Sequence, residues 1–206
     1  MVNAEWRSYL TAHPACQDKP IRGTMSKRVS FHQEDFLLER IGMEDSLQMM
    51  RTKILSKKTP PEEITTLLAK GYPALAPLVP TLLEKLQDMN WPNAWQVARF
   101  LSTIGRPLLP YVRDILQGDD RVWQYWLLYA LVERWDTELV AHIQAELFTL
   151  TQLTDKEEVD IAALSQLAKR QLIDDETFHQ IVEQKKQLYQ DTIIQEELDE
   201  IDHVHS

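Results

Sequence analysis

The sequence has one cysteine, five glycines and no long apolar run, and each of these shortages excludes a class of protein. A lone thiol, that of Cys16, cannot form an internal disulfide, and it is typical of a reducing compartment. Five scattered glycines do not form a phosphate-binding loop of the common types. No stretch approaches the roughly 20 apolar residues that a membrane-spanning helix requires. We therefore expect a cytoplasmic protein that does not bind membranes.

Catalytic and metal-binding motifs are also scarce. No serine or cysteine lies in a known nucleophile motif. The histidines lack metal-ligand spacing apart from His203 and His205, which fall in what we expect to be an exposed tail. The acidic pairs Asp119–Asp120 and Asp174–Asp175 fall at predicted helix starts, where carboxylates cap backbone N–H groups. We therefore expect no enzyme activity, no cofactor and no metal ion.

Acidic residues outnumber basic ones, and the excess is unevenly distributed. The chain carries 32 Asp and Glu against 22 Lys and Arg, for a net charge of −10. Residues 1–60 have a net charge of +3, residues 61–150 of −4 and residues 151–206 of −9. Such an acidic surface repels nucleic acid and attracts a basic protein surface. The alternative is that the acids only keep the protein soluble.

The chain repeats itself once at an offset of thirty residues. Pro77-Leu78-Val79-Pro80 matches Pro107-Leu108-Leu109-Pro110 at both prolines and at the first leucine, and Trp95 falls on Tyr125. A fixed period of this size is typical of stacked helical hairpins, each of which buries its apolar face against its neighbour. No sustained strand-like alternation is present. The sequence predicts an all-α fold, a short right-handed α-solenoid of HEAT-like helical hairpins.

Composition predicts three segments along the chain. Residues 1–29 are expected to form a loosely structured extension, residues 30–173 the helical-repeat domain and residues 174–206 an acidic helical segment. Met25 resembles an internal start, so we expect residues 1–24 to be dispensable for folding.

Two helical patterns carry expectations about packing. The helix predicted over Asp120–Val132 is apolar nearly all round, which predicts that it lies at the centre of the molecule with Trp126 buried. Further along, Ile194, Leu198 and Ile201 fall on a different helical face from the apolar residues before them. We favour a fraying terminus there over a docked helix.

The candidate interaction residues lie at predicted repeat turns and helix starts. Trp91 occupies an inter-helix turn, and Asp119 and Asp120 occupy the corresponding turn of the next unit. Tryptophan beside acids is a composition found at interaction hot spots, although any one of these tryptophans is also a candidate core residue. The candidate partner-binding residues are Trp91, Trp95, Asp119, Asp120, Trp123, Asp174, Asp175 and Glu176.

Three segments together resemble a bacterial family. They are the Trp91-Pro92 turn, the Pro107–Pro110 helix start and the run Asp119–Trp126. They are similar to domain-of-unknown-function family 5071, small helical proteins of HEAT-like character, over roughly residues 45–165. The resemblance implies a fold and a bacterial source. It implies no particular activity, and it assigns no catalytic residue to this sequence.

These observations favour a non-catalytic protein-binding module. Its expected partner is a protein with a basic surface, and an immunity- or antitoxin-type protein that occludes a basic toxin domain is one such module. One alternative is a small enzyme or small-ligand binder that uses the aromatic residues and acids as a pocket. The other is a housekeeping scaffold with no link to a toxin.

Overall fold

The computed structural model describes residues 30–190 and 192–205, with side chains placed for residues 42–190 and 193–205. The chain divides into two compact units, Met1–Met43 and Glu44–Ser206. The first unit is described only by its helical residues 30–43. The predicted loose extension and the proposed dispensable segment therefore lie outside the described residues. The predicted boundary at residues 173 and 174 stays a prediction.

The described residues form an all-α fold, as predicted: they contain helices and turns but no strand. Eleven α-helices follow one another from residue 30 to residue 205: α1 Ser30–Leu55, α2 Pro61–Leu68, α3 Val79–Glu84, α4 Ala94–Ser102, α5 Leu109–Leu116, α6 Arg121–Ala130, α7 Thr137–Ala141, α8 Gln144–Thr151, α9 Val159–Ala168, α10 Asp175–Leu188 and α11 Thr192–His205. Short 3-10 helices occupy Ala76–Leu78, Lys85–Gln87, Arg106–Leu108 and Val132–Arg134. Within the described ranges, no helix combines the length and the apolar character needed to cross a bilayer.

Proline residues set the starts of several helices. Pro61 is the first residue of α2, and Pro80 and Pro110 are the second residues of α3 and α5. Proline is well tolerated there because the N–H that it lacks has no partner in the first helical turn. A 3-10 helix leads directly into α3 at Ala76–Leu78 and into α5 at Arg106–Leu108, so these two starts lie thirty residues apart.

Aspartate caps three other helices. The side chains of Asp120, Asp136 and Asp174 accept hydrogen bonds from the backbone N–H groups three residues later, at 3.0, 2.8 and 2.9 Å. Each bond satisfies an N–H group that the first helical turn leaves unpaired. Such a cap contributes about 1 kcal/mol to helix stability.

Helix α9 lies between two apolar clusters. Nine of its ten residues are buried. One side contributes Val159, Ala163 and Leu167 to a large cluster that extends from the end of α1 to α8. The other side packs with α10 and α11 in a smaller cluster. A helix buried on both sides in this way is the central element of the second unit.

The prediction that α6 lies at the centre is wrong. Leu127 and Leu128 are fully buried, but Val122 is 40% exposed and Tyr129 is 54% exposed. Trp126 is only half-buried. The helix has two apolar stripes, and its neighbours cover one of them, so the aromatic stripe faces outward.

The prediction of a fraying C-terminus is also wrong. Ile194, Leu198 and Ile201 are 8, 0 and 5% exposed and belong to the smaller cluster. Helix α10 ends at Leu188 and α11 begins at Thr192, and this break turns the apolar face of α11 toward α9 and α10.

A buried ion pair fastens α10 to α9. The Lys185 ammonium lies 2.5 Å from the Asp160 carboxylate, and these side chains are 3 and 0% exposed. Lys185 also donates to the Leu153 carbonyl oxygen. The Tyr189 hydroxyl donates to Asp160 at 2.9 Å, and burial, followed by this hydrogen bond, raises the pKa of the phenol. The carboxylate is thus partnered from two sides, as a buried charge requires.

Candidate functional site

Four aromatic side chains of α4 and α6 contact one another and form what we term the aromatic face: Trp95, Tyr125, Trp126 and Tyr129. Tyr129 is shared by three of the contacts. Its ring is nearly perpendicular to those of Trp95 and Trp126, with centroids 6.1 and 6.0 Å away. It is nearly parallel to Tyr125, with centroids 6.1 Å apart. These separations fall in the range of favourable aromatic pairs.

The aromatic face is open to solvent at its outer members. Trp95 is 41% exposed and Tyr129 is 54% exposed, whereas Tyr125 and Trp126 are half-buried beneath them. Scattered exposed apolar residues are common, but large rings in contact on one surface are informative because tyrosine and tryptophan dominate binding hot spots.

Hydrogen bonds at the start of α6 fix which of its sides faces outward. The buried Gln124 side-chain amide donates to three carbonyl groups at the end of α5, from Ile115 to Gly118, at 2.8–3.1 Å. One residue earlier, the Trp123 indole N–H donates to the Leu83 carbonyl at 3.1 Å. These bonds hold the helix in a rotation that leaves Tyr129 exposed and Tyr125 half-buried at the margin of the large cluster.

Carboxylates lie beside the aromatic face. Burial raises the pKa of Tyr125 first, and the charges of Glu197 and Glu158 raise it further. Burial likewise raises the pKa of the Glu197 carboxyl, and the charges of Glu158 and Glu200 add to that effect while Lys169 opposes it. We term Glu158, Glu197 and Glu200 the acidic rim. It is a crowded set of negative charges beside a group of aromatic rings.

Comparison with known proteins identifies the family. A family model matches residues 54–172, more than half of the chain. The chain belongs to this family, Domain of unknown function (DUF5071). No curated protein and no solved structure matches the chain.

The DUF5071 segment and the residues after it contribute different parts of the site. All four rings of the aromatic face and Glu158 lie within the matched residues 54–172. Glu197 and Glu200 lie on α11, outside the match. The family segment therefore supplies the aromatic surface, and the C-terminal helix of this chain adds two of the three acids.

The predicted site residue Trp95 lies in the aromatic face, but Trp91 has other neighbours. Its half-buried ring carries the Lys85 ammonium 4.8 Å from its centroid and the Lys57 ammonium at 5.3 Å. Lys85 is fully buried, and its ammonium has no hydrogen-bond partner among the residues that the structure describes. Burial and then the charge of Lys57 lower the pKa of Lys85. Trp91 thus stabilises a buried cation through its ring face.

The candidates Asp119, Asp120 and Trp123 surround the start of α6. Asp120 caps the helix by accepting the Trp123 backbone N–H. Trp123 is half-buried, and its indole N–H is occupied by the Leu83 carbonyl. Both side chains therefore have structural partners. Asp119 is exposed and is available for long-range electrostatic attraction.

The acidic candidates at the start of α10 have mixed surroundings. Asp174 is the N-cap, and hydrogen bonds from Thr177 lower the pKa of its carboxyl. Asp175 is exposed and lies 3.2 Å from the imidazole of His205 on α11. Glu176 is exposed. Two of these three carboxylates thus have contacts within the helix pair α10–α11.

Sequence reasoning left Tyr125, Tyr129 and Glu197 out of the candidate site. The available signal for the two tyrosines was their i, i+4 spacing. This spacing places them on one side of the helix, on a different stripe from the buried Leu127 and Leu128. No signal joined Glu197 to them, because it lies about seventy residues away. Among the described residues, no group of three or more histidine, cysteine, aspartate or glutamate side chains is placed to hold a metal ion.

Proposed function

We propose that this chain is a non-catalytic protein-binding module that engages a basic protein through the aromatic face and the acidic rim. The observation that carries the proposal is the contact of the exposed rings of Trp95 and Tyr129 on a surface that also includes Tyr125, on which the charges of half-buried Glu158 and Glu197 act. Aromatic rings provide contact area at little conformational cost, and the carboxylates give the surface a charge preference.

The architecture that we propose for this module is a short right-handed α-solenoid of HEAT-like hairpins. The paired 3-10 and α-helical starts at Ala76 and Arg106, thirty residues apart, support it. Contacts of α4 and α5 with α6 are consistent with the stacking of one hairpin on the next. Such a stack presents equivalent helices side by side, which explains how rings from α4 and α6 share one surface.

Electrostatics favours a basic partner. Residues 151–206 carry a net charge of −9 and include the acidic rim. Opposite charges raise the association rate, and salt weakens the attraction beyond about 8 Å at physiological ionic strength. The raised pKa of Glu197 supports the same conclusion, since its ionised form is disfavoured in the free protein. A partner's cation would compensate that charge on binding.

Within this class we propose an immunity- or antitoxin-type role in a bacterial cytoplasm, in which the chain covers a basic toxin domain. The support is the high negative charge together with an exposed aromatic surface, which is the combination expected of a protein that captures a cationic domain.

The test compares the full chain with a double variant, Trp95→Ala with Tyr129→Ala, as baits in lysate of the native host. We expect a basic protein that the wild type retains and the double variant loses. Tyr111→Ala is the matched control, because Tyr111 is a 36% exposed tyrosine on α5 outside the aromatic face.

Binding kinetics with the purified partner then separate charge from contact. We expect association to slow as salt rises and when the exposed Asp119 is reversed to lysine, whereas Trp95→Ala should mainly speed dissociation. An acidic or nucleic-acid partner, salt-independent association, or full binding by the double variant would refute the proposal.

A further inference from the structure

The spacing of the rings limits which cation the aromatic face can bind. Tyr125 and Tyr129 are parallel, and their centroids lie 6.1 Å apart. A cation held between two rings needs about 7 Å or more, the sum of two van der Waals contacts. The two tyrosines therefore leave no space for a cation between them. Only the outer ring surfaces, chiefly those of Trp95 and Tyr129, are available.

An open ring surface favours guanidinium over ammonium. The lysine ammonium is a compact, strongly hydrated charge, and it gains most from a ring when an enclosing pocket removes its water. Rings that are 41 and 54% exposed provide no such enclosure. The arginine guanidinium is planar and weakly hydrated, so it stacks on an exposed ring while its N–H groups remain in contact with water or acceptors.

The acidic rim supplies acceptors for those N–H groups. Helix α9 contacts both α6, which carries the tyrosines, and α11, which carries Glu197. The charges of Glu197 and Glu158 accordingly act on the Tyr125 hydroxyl. The Tyr125 and Tyr129 rings are nearly parallel. A guanidinium stacked on Tyr129 is therefore parallel to both rings, and its N–H groups point sideways, along the surface, rather than into the rings. Charge-assisted, bidentate hydrogen bonds between guanidinium and carboxylate are among the strongest polar contacts that a surface can form.

We propose that the aromatic face and acidic rim form an arginine-recognition site, in which a partner's guanidinium stacks on Tyr129 against Trp95 and donates hydrogen bonds to Glu197. This inference rests on the proposed function, that the partner is a basic protein, and adds which basic side chain is recognised. It also assigns a specificity role to α11, which lies outside the DUF5071 match.

The experiment uses two fluorescent peptides of equal charge, hexa-arginine and hexa-lysine, titrated against the full chain at low and at physiological salt. We expect hexa-arginine to bind about fivefold more tightly, the ratio that a single exposed cation–π contact supplies. The preference should disappear in Trp95→Leu and in Tyr129→Leu, and Glu197→Gln should reduce it. It should persist in the control Tyr111→Leu, and circular dichroism checks that each variant is folded.

The outcomes separate this inference from the proposed function. Equal binding of the two peptides by the wild type overturns arginine recognition and leaves the binding of a basic partner intact. A preference for arginine that persists in both ring variants also overturns it, since the rings would then be irrelevant. Failure of both peptides to bind at low salt overturns the proposed function itself.

Discussion

Replacing Lys185 with methionine tests whether the buried ion pair holds the C-terminal helices on α9. The ammonium lies 2.5 Å from Asp160, and the two side chains are 3 and 0% exposed. Methionine keeps most of the apolar length but leaves the Asp160 carboxylate with the Tyr189 hydroxyl as its remaining polar contact among the described side chains. An uncompensated buried charge costs about 3–5 kcal/mol, so we expect the melting temperature to fall by on the order of 10 °C.

Urea unfolding at pH 7 measures this effect, and three further variants identify its origin: Asp160→Asn, its combination with Lys185→Met, and the control Lys186→Met. In the double variant Asp160→Asn with Lys185→Met, no charge is left unpaired, so the loss should be about 2 kcal/mol smaller than the sum of the single losses. Lys186→Met is the control, because its ammonium lies 2.6 Å from Asp199, whose side chain is 70% exposed. A pair whose carboxylate is this open to solvent contributes less than about 1 kcal/mol. A loss for Lys185→Met no larger than that of the control, or additive losses in the double variant, would refute the reasoning.

Three further substitutions have defined outcomes. Trp126→Ala should destabilise by about 1–3 kcal/mol in urea unfolding, below the 3–5 expected of a fully buried tryptophan, because the side chain is half-buried. Glu197 has a folded pKa above 4.5, so just above pH 4.5 the folded state holds more protons than the unfolded state, and the stability falls as pH rises. Glu197→Gln should remove this fall in stability between pH 4 and 7, and at pH 7 the variant should unfold at a higher urea concentration than the wild type. Lys85 has a folded pKa below 10.5, so the unfolded chain holds more protons than the folded one just below pH 10.5, and the stability rises with pH there. Lys85→Met should remove this rise in urea unfolding curves measured from pH 7 to 10.5.

The helical class of this fold was predictable because its signals are local. Prolines before apolar helical patterns and an aspartate such as Asp136 before a helix act within one turn, and the structure contains the corresponding helix starts. The rotation of each helix was not predictable in the same way. Helix α6 carries two apolar stripes, and the choice between them depends on the 3-10 helix Lys85–Gln87 and on α9, which are distant in sequence. The error about the centre of the molecule has this origin.

The candidate site was only partly predictable for the same reason. Trp95 was identified from composition, but its partner Tyr129 lies thirty-four residues later, on the helix that was expected at the centre of the molecule. The sequence did not predict the lysines over the Trp91 ring, because Lys57 comes from the turn between α1 and α2 and Lys85 from the 3-10 helix after α3. Only the three-dimensional arrangement shows that Lys85 is fully buried.

The position of Glu197 depends on how α11 is held. The Gln195 side-chain amide, two residues before Glu197, donates to the carbonyls of Lys186 and Tyr189 at 2.9 and 2.5 Å. Tyr189 in turn donates to Asp160, the residue that Lys185 neutralises. A continuous set of contacts therefore joins the buried ion pair to the carboxylate beside the aromatic face. Since the rings belong to the DUF5071 segment and this carboxylate does not, a chain with the same rings and a different C-terminal helix would keep the aromatic surface and lose the charge that selects arginine.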